Sequence, residues 1–125
     1  MNIVILIGRL TSDPDPRYTP NGVAVTRFTV AVDRQFKNSN GEKETDFINI
    51  VTWRKLAENC ANYLTKGSLV AVEGRLQIRS YEDSQGIKRK AAEVIAENVR
   101  FLDSRKGDAY EPNNQQQVND DDVPF

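Results

Sequence analysis

The sequence predicts an all-β domain with one helix, a small five-stranded barrel of order β-β-β-α-β-β, followed by a C-terminal tail that does not fold. Three observations predict it. Short apolar stretches with period-two alternation are separated by Pro, Gly and Asn turns, and helical periodicity is confined to one segment between the third and fourth strands. Beyond Ser104 the apolar content is too low to offset the entropy of ordering.

The first strand is a continuous apolar run over residues 2–10, bounded by Asp13-Pro14-Asp15-Pro16, which no helix would tolerate. Pro20-Asn21-Gly22 supplies a turn. In the second strand Phe28, Val30 and Val32 alternate with Arg27, Thr29 and Ala31. A polar loop from Lys37 to Glu44, with Asn40-Gly41 at its tip, leads into the third strand, Phe47 to Trp53. The helix covers about Arg54 to Thr65, with Leu56, Ala57, Cys60, Ala61 and Leu64 on one stripe and Gly67 capping its end. Leu69 to Tyr81 and Lys88 to Leu102 form a long hairpin around Asp83-Ser84-Gln85-Gly86. This order is the connectivity of an OB-fold, a Greek-key barrel. The expected organisation is a barrel domain over 1–103, a disordered polar linker over 104–119 and an acidic tip over 120–125.

Composition bounds what such a chain can do. At 125 residues, 38% hydrophobic and 28% charged, it has room for one small domain and an extension. The net charge of −1 conceals an asymmetry. Residues 1–106 hold all 17 bases against 13 acids, a surplus of four; residues 107–125 hold five acids and no base. A basic domain joined to an acidic tail keeps a nucleic-acid partner open. One Cys and no His exclude an intrachain disulfide and the usual His-dependent metal and catalytic arrangements, and Cys60 on the apolar stripe is read as a core thiol. No Gly-rich phosphate loop and no paired barrel carboxylates point to an enzyme, so no cofactor is expected. Five apolar residues from Ile3 cannot span a bilayer, and a cytoplasmic, nucleoid-associated protein without membrane contact is expected.

The placement of aromatics discriminates among the uses of such a barrel. In the third strand Phe47 and Trp53 share parity with Asn49 and Val51, opposite to Ile48 and Ile50. Arg54 and Lys55 follow Trp53; Phe36 stands between Arg34 and Lys37; Tyr81 stands near Arg79, with Lys88-Arg89-Lys90 across the bend. Rings interleaved with bases suit single-stranded nucleic acid, in which unpaired bases stack and cations follow phosphates. Phe28, Tyr63 and Phe101 are assigned to the core.

The chain resembles the bacterial single-stranded DNA-binding proteins. The resemblance rests on Val4 to Asp13, Arg17-Tyr18-Thr19-Pro20-Asn21-Gly22, Lys55-Leu56-Ala57-Glu58, Tyr63-Leu64, Lys66-Gly67-Ser68, Val72-Glu73-Gly74 and, most specifically, the Asp-rich ending in Pro-Phe. It implies an OB-fold, a homotetramer around which the strand wraps, and base stacking on Phe36, Phe47, Trp53 and Tyr81. It also implies phosphate contacts from Arg17, Lys55, Lys66, Arg79 and Arg89, extended to Arg9, Arg34, Lys37, Arg54 and Lys88. The expected function is sequence-tolerant coating and protection of single-stranded DNA. Recruitment of replication, repair and recombination proteins falls to the tip, Asp120-Asp121-Asp122-Val123-Pro124-Phe125. Two other classes remain open: an OB-fold adaptor that binds only protein, and a nucleotide- or DNA-acting enzyme. The linker's r.m.s. reach of roughly 20 to 24 Å would let the acidic tip touch the basic domain and compete with DNA.

Overall fold

The computed structural model describes residues 1–103, so the linker and tip assigned above lie outside the described residues. The strands are β1 (Val4–Leu10), β2 (Asp15–Tyr18), β3 (Ala24–Lys37), β4 (Lys43–Trp53), β5 (Leu69–Glu82) and β6 (Lys88–Phe101), with α1 (Arg54–Tyr63) between β4 and β5. They form one sheet in the order β1-β5-β6-β4-β3-β2, and pairing of β1 with β3 closes five of them into the expected OB-fold barrel. Its interior is filled by Leu10, Phe28, Val30, Ile50, Val70, Val72, Val94, Ala96 and Val99, alternate residues of strands that each turn one face inward.

The sixth strand was not anticipated. After Leu10 pairs with Val30, four residues, Thr11 to Pro14, lie opposite two, Phe28 and Thr29, and β2 then resumes pairing at Asp15 with Arg27. The Pro-rich segment taken as a boundary is an outward excursion between two strand pieces that share one edge of β3. Pro14 stands in the excursion and Pro16 in β2, an outermost strand that tolerates a missing N–H.

The helix is shorter than its sequence stripe. Leu64 is extended, with φ −99 and ψ 147, and closes α1 through its N–H to the Cys60 carbonyl. Gly67, at φ +90, belongs to the following turn and donates to the Leu10 carbonyl at 2.9 Å, so it anchors the helix–β5 connection to β1 instead of capping α1. Buried Thr26 fastens the helix to the barrel: its Oγ1 donates to the Ala57 carbonyl, and Thr52 Oγ1 on β4 donates in turn to the Thr26 carbonyl, each at 2.8 Å. Ala57 and Cys60 are the helix residues packed inward. Burial pushes the Cys60 thiol up to about 12, against a hydrogen bond with Thr52 that lowers it.

The entry into α1 is strained. Arg54 sits at φ 60, the only non-glycine at positive φ among the described residues, and no side chain caps the helix at Trp53. A side chain in the left-handed region costs roughly 1–2 kcal/mol. Arg54→Gly is expected to stabilise the fold by about 1 kcal/mol, read as a raised denaturant midpoint; Arg54→Ala, which keeps the Cβ, is expected to leave it unchanged.

Two core assignments need correction. Phe28 is buried, but Tyr63 and Phe101 are half-exposed and pack against each other, ring centroids 6.3 Å apart, on the barrel's outside. Neither strand parity nor helix stripe turns them inward.

Candidate nucleic-acid interface

Ladder register decides which side chains share the outer face. Because directly paired residues lie on the same side of a sheet, the pairs can be followed from strand to strand as rows. One row runs Arg17, Val25, Trp53 across β2, β3 and β4. The next runs Asp15, Arg27, Val51, Ile95, Arg75, and a third runs Thr29, Asn49, Glu93, Gln77. Phe47 lies opposite Ala31, and on the β5–β6 hairpin Arg79 faces Ala91 and Tyr81 faces Arg89. Phe47, Trp53 and Tyr81 therefore share the outer face, as the parity of β4 predicted. Val51 has the same parity but is buried with Val25 and Ile95, a small apolar patch that floors the face.

The rings are open to solvent: Phe36 is 81% exposed, Phe47 67%, Tyr81 41% and Trp53 40%. Phe47 and Trp53 stand six residues apart on one strand, about 20 Å. Tyr81 carries the Arg79 guanidinium over its ring, 5.3 Å from the centroid. Phe36 lies within the irregular register between Asp33 and Lys37 near the β3–β4 tip, where alternation does not assign a face.

The structure divides the expected cations. Arg17, Arg79 and Arg89 belong to the rows of the aromatic face, and Arg54 and Lys55 open α1 beside Trp53. Arg17 pairs with Asp15 at 3.1 Å and Arg89 with Asp83 at 2.9 Å, both exposed. The hydrogen bond from Arg89, with backbone N–H groups of the bend, holds the Asp83 carboxyl below its ordinary value. Lys66 is in the helix–β5 turn, its backbone N–H donating to Asp13 at 2.8 Å.

Two others, Arg34 and Lys88, are not brought to this face. Arg34 is held on the reverse side of the β3–β4 hairpin by Glu44 at 2.8 Å and by Asp46, the residue opposite Val32, at 3.0 and 3.1 Å. That hydrogen bonding keeps the Asp46 carboxyl below the usual carboxylate range. Lys88 is on the reverse side of the β5–β6 hairpin, one residue out of step with Arg89. Lys37 ends β3 opposite Lys43, which has the parity of Phe47 on β4, and so lies on the aromatic face at the β3–β4 tip. Arg9 shares the row of Phe47 through Ala31, but it is engaged there: it donates to the Gly67 carbonyl at 2.9 Å and pairs with Asp103 at 3.0 Å, while the same Asp103 oxygen accepts from the Leu69 N–H at 2.9 Å. It ties three separated segments together.

Arg27 is a residue of this face that the sequence reading placed by alternation but did not select. It donates to Glu93 at 3.1 Å, and Arg79 reaches the same carboxylate oxygen at 3.4 Å. A cleft of about 310 Å³ opens here, lined among others by Asp13, Asp15, Arg27, Asn49, Arg79 and Glu93. Thr29 Oγ1 donates to Asn49 Oδ1 at 3.0 Å, which turns the Asn49 amide nitrogen away from β3. Among the described residues no group of three or more His, Cys, Asp or Glu could hold a metal ion, and no helix is long and apolar enough to cross a membrane.

Comparison with known proteins shows the family. The family model described as "Single-strand binding protein family" matches residues 1–102. The chain is 64% identical over 107 residues to a single-stranded DNA-binding protein of Bacillus cereus, covering 86% of this chain and 63% of the relative. It is 59% identical over 107 residues to single-stranded DNA-binding protein A of Bacillus subtilis, covering 86% and 62%. With single-stranded DNA-binding protein 3 of Listeria innocua the identity is 54% over 122 residues, covering 95% and 76%. The chain thus spans a little under two thirds of the length of the first two of these relatives. A match over nearly the whole barrel, on a fold with this outer face, places the chain in the single-strand binding protein family.

Proposed function

We propose that the protein binds single-stranded DNA without sequence preference and shields it, making and breaking no covalent bond. The observation that carries this reading is the sharing of one barrel face by three open rings, Phe47, Trp53 and Tyr81, with Arg17, Arg27, Arg79 and Arg89. Rings accept any unpaired base, and the cations neutralise phosphates between them. Reading a duplex instead needs an element that enters a groove. The helix of the described residues is packed on the barrel. The relatives are named single-stranded DNA-binding proteins.

Phe36 adds a fourth ring at the β3–β4 tip, and Arg54, Lys55 and Lys66 extend the basic track beyond Trp53. Arg34 and Lys88 lie on the reverse side and Arg9 is held by both Gly67 and Asp103, so their share is small; Lys37 extends the track at the β3–β4 tip. The working assembly is a homotetramer. Ile3, Ile5 and Ile7 support self-association, since they form an exposed apolar stripe along the start of the chain and the outside of β1. The acidic tip, residues 120–125, recruits replication, repair and recombination proteins, its carboxylates and the Phe125 ring suiting a basic, partly apolar pocket. The setting is the cytoplasm, at the nucleoid.

Titration of oligothymidine across a salt series, followed through the fluorescence of Trp53, the sole tryptophan, tests the core of this reading. Log affinity is expected to fall linearly with log salt, by about 0.7 for each phosphate neutralised. A flat salt response, or equal affinity for duplex of the same length, would contradict it.

A further inference from the structure

Glu93 is a carboxylate at the centre of a face that must attract phosphate. It lies between Asn49 of β4 and Gln77 of β5, and its side chain is only 5% exposed. A buried ionised carboxylate persists where cations compensate it. Both cations come from other strands: Arg27 Nη1 at 3.1 Å and Arg79 Nε at 3.4 Å, on the same Oε2. Each arginine side chain remains about half exposed, 47%. A guanidinium offers five N–H donors in a rigid fork, so an arginine tethered by one edge keeps the others for a second acceptor. Arg79 is fixed a second time by lying over the Tyr81 ring. An arginine ordered before its ligand arrives loses less freedom on binding.

We propose that Arg27 is a further phosphate-contacting residue, and that Glu93 is the positioning residue that holds Arg27 and Arg79 as a preset pair. This rests on the single-strand reading above. The carboxylate lies beneath both cations and is shielded by them, so the strand meets two oriented forks with a net charge of one. Through Arg79 the same anchor sets the orientation of the Tyr81 ring.

The test uses the full chain and labelled oligothymidine, with anisotropy read across a salt series. Arg27→Ala leaves Arg79 to compensate Glu93; it is expected to lower affinity about tenfold at 0.1 M salt and to make the log–log slope shallower by about 0.7. Glu93→Gln separates positioning from charge, because it keeps the volume while adding a net positive charge to the face. If the carboxylate merely offset charge, the Gln variant would bind more tightly with a steeper slope. Positioning instead requires weaker binding, by about threefold to tenfold, with no steepening. Unfolding midpoint and solution mass are measured alongside. Should Glu93→Gln fail to fold, Arg79→Lys keeps the charge but not the fork and is expected to lose affinity at unchanged slope. Tighter or steeper binding by Glu93→Gln, or wild-type binding by Arg27→Ala or Arg79→Lys, overturns the proposal. A wild-type chain that does not bind oligothymidine removes the underlying reading instead.

Discussion

Replacing Phe47 and Trp53 together by alanine is expected to weaken binding of oligothymidine by at least about 30-fold, with no change in the salt slope. Each base–aromatic stack is worth roughly 1–3 kcal/mol, and two lost stacks, about 20 Å apart and therefore close to additive, sum to at least about 2 kcal/mol. No cation is removed, so the number of counterions released on binding is conserved and the plots of log affinity against log salt run parallel. Folding is expected to survive. Phe47 is largely solvent-exposed, and Trp53 makes no side-chain hydrogen bond to the helix it precedes. Anisotropy of a labelled strand gives the affinity, since the variant lacks its tryptophan. A shallower slope would mean that the rings organise the neighbouring cations; unchanged affinity would remove them from the binding face.

Gly74→Ala is expected to destabilise the fold by about 3 kcal/mol. Gly74 faces Ala96 where the β5–β6 register shifts, with Glu97 as the extra residue between Ala96 and Asn98. A Cβ at this position would run into the Ile95 carbonyl oxygen, with the Ala96 Cα and the Ile95 carbonyl carbon both at 2.9 Å. All three are backbone atoms, so no rotamer change relieves the clash; β5 and β6 must part, and they frame much of the barrel. Denaturant unfolding at fixed protein concentration measures the loss, because any self-association adds a concentration-dependent share. A midpoint equal to the wild type's would mean that the strands separate there freely. Gly8, whose Cβ would meet the Ala31 carbonyl oxygen, is the corresponding close approach at the β1–β3 closure.

The parts of this molecule that follow from local chemistry were legible in the sequence. Period-two alternation put Phe47 and Trp53 on the side away from Ile48 and Ile50 without knowledge of any partner strand. The hairpin bend was equally readable: Asp83 Oδ1 accepts from the N–H groups of Gln85 and Ile87 at 2.9 and 3.0 Å. What failed depended on distant residues or on a one-way rule. β2 was hidden because Pro14 and Pro16 read as breakers, and only an unoccupied edge of β3 makes a strand there acceptable. Tyr63 and Phe101 were put in the core because they are large and aromatic, yet much of any folded surface is apolar. Glu93 was invisible as a buried group because Arg27, 66 residues away in sequence, makes its burial tolerable.

The same dependence explains the uneven fate of the expected cations. Arg17, Arg79 and Arg89 share the parity of a ring or of its row, while Lys88 misses it by one residue and Arg34 is drawn to Glu44 and Asp46 on the reverse side. Arg9 is occupied at Gly67 and Asp103, a pairing that spans most of the domain and that no local pattern announces.

The burial of Cys60 has a practical consequence for labelling chemistry. It is the sole cysteine of the chain, it is fully enclosed, and its thiol is held near 12. At neutral pH almost none of it is thiolate, the species that alkylating dyes attack. A cysteine introduced on the open rim of the barrel is then the one addressable handle, and a fluorophore can be placed there in an otherwise native chain, with the core left untouched.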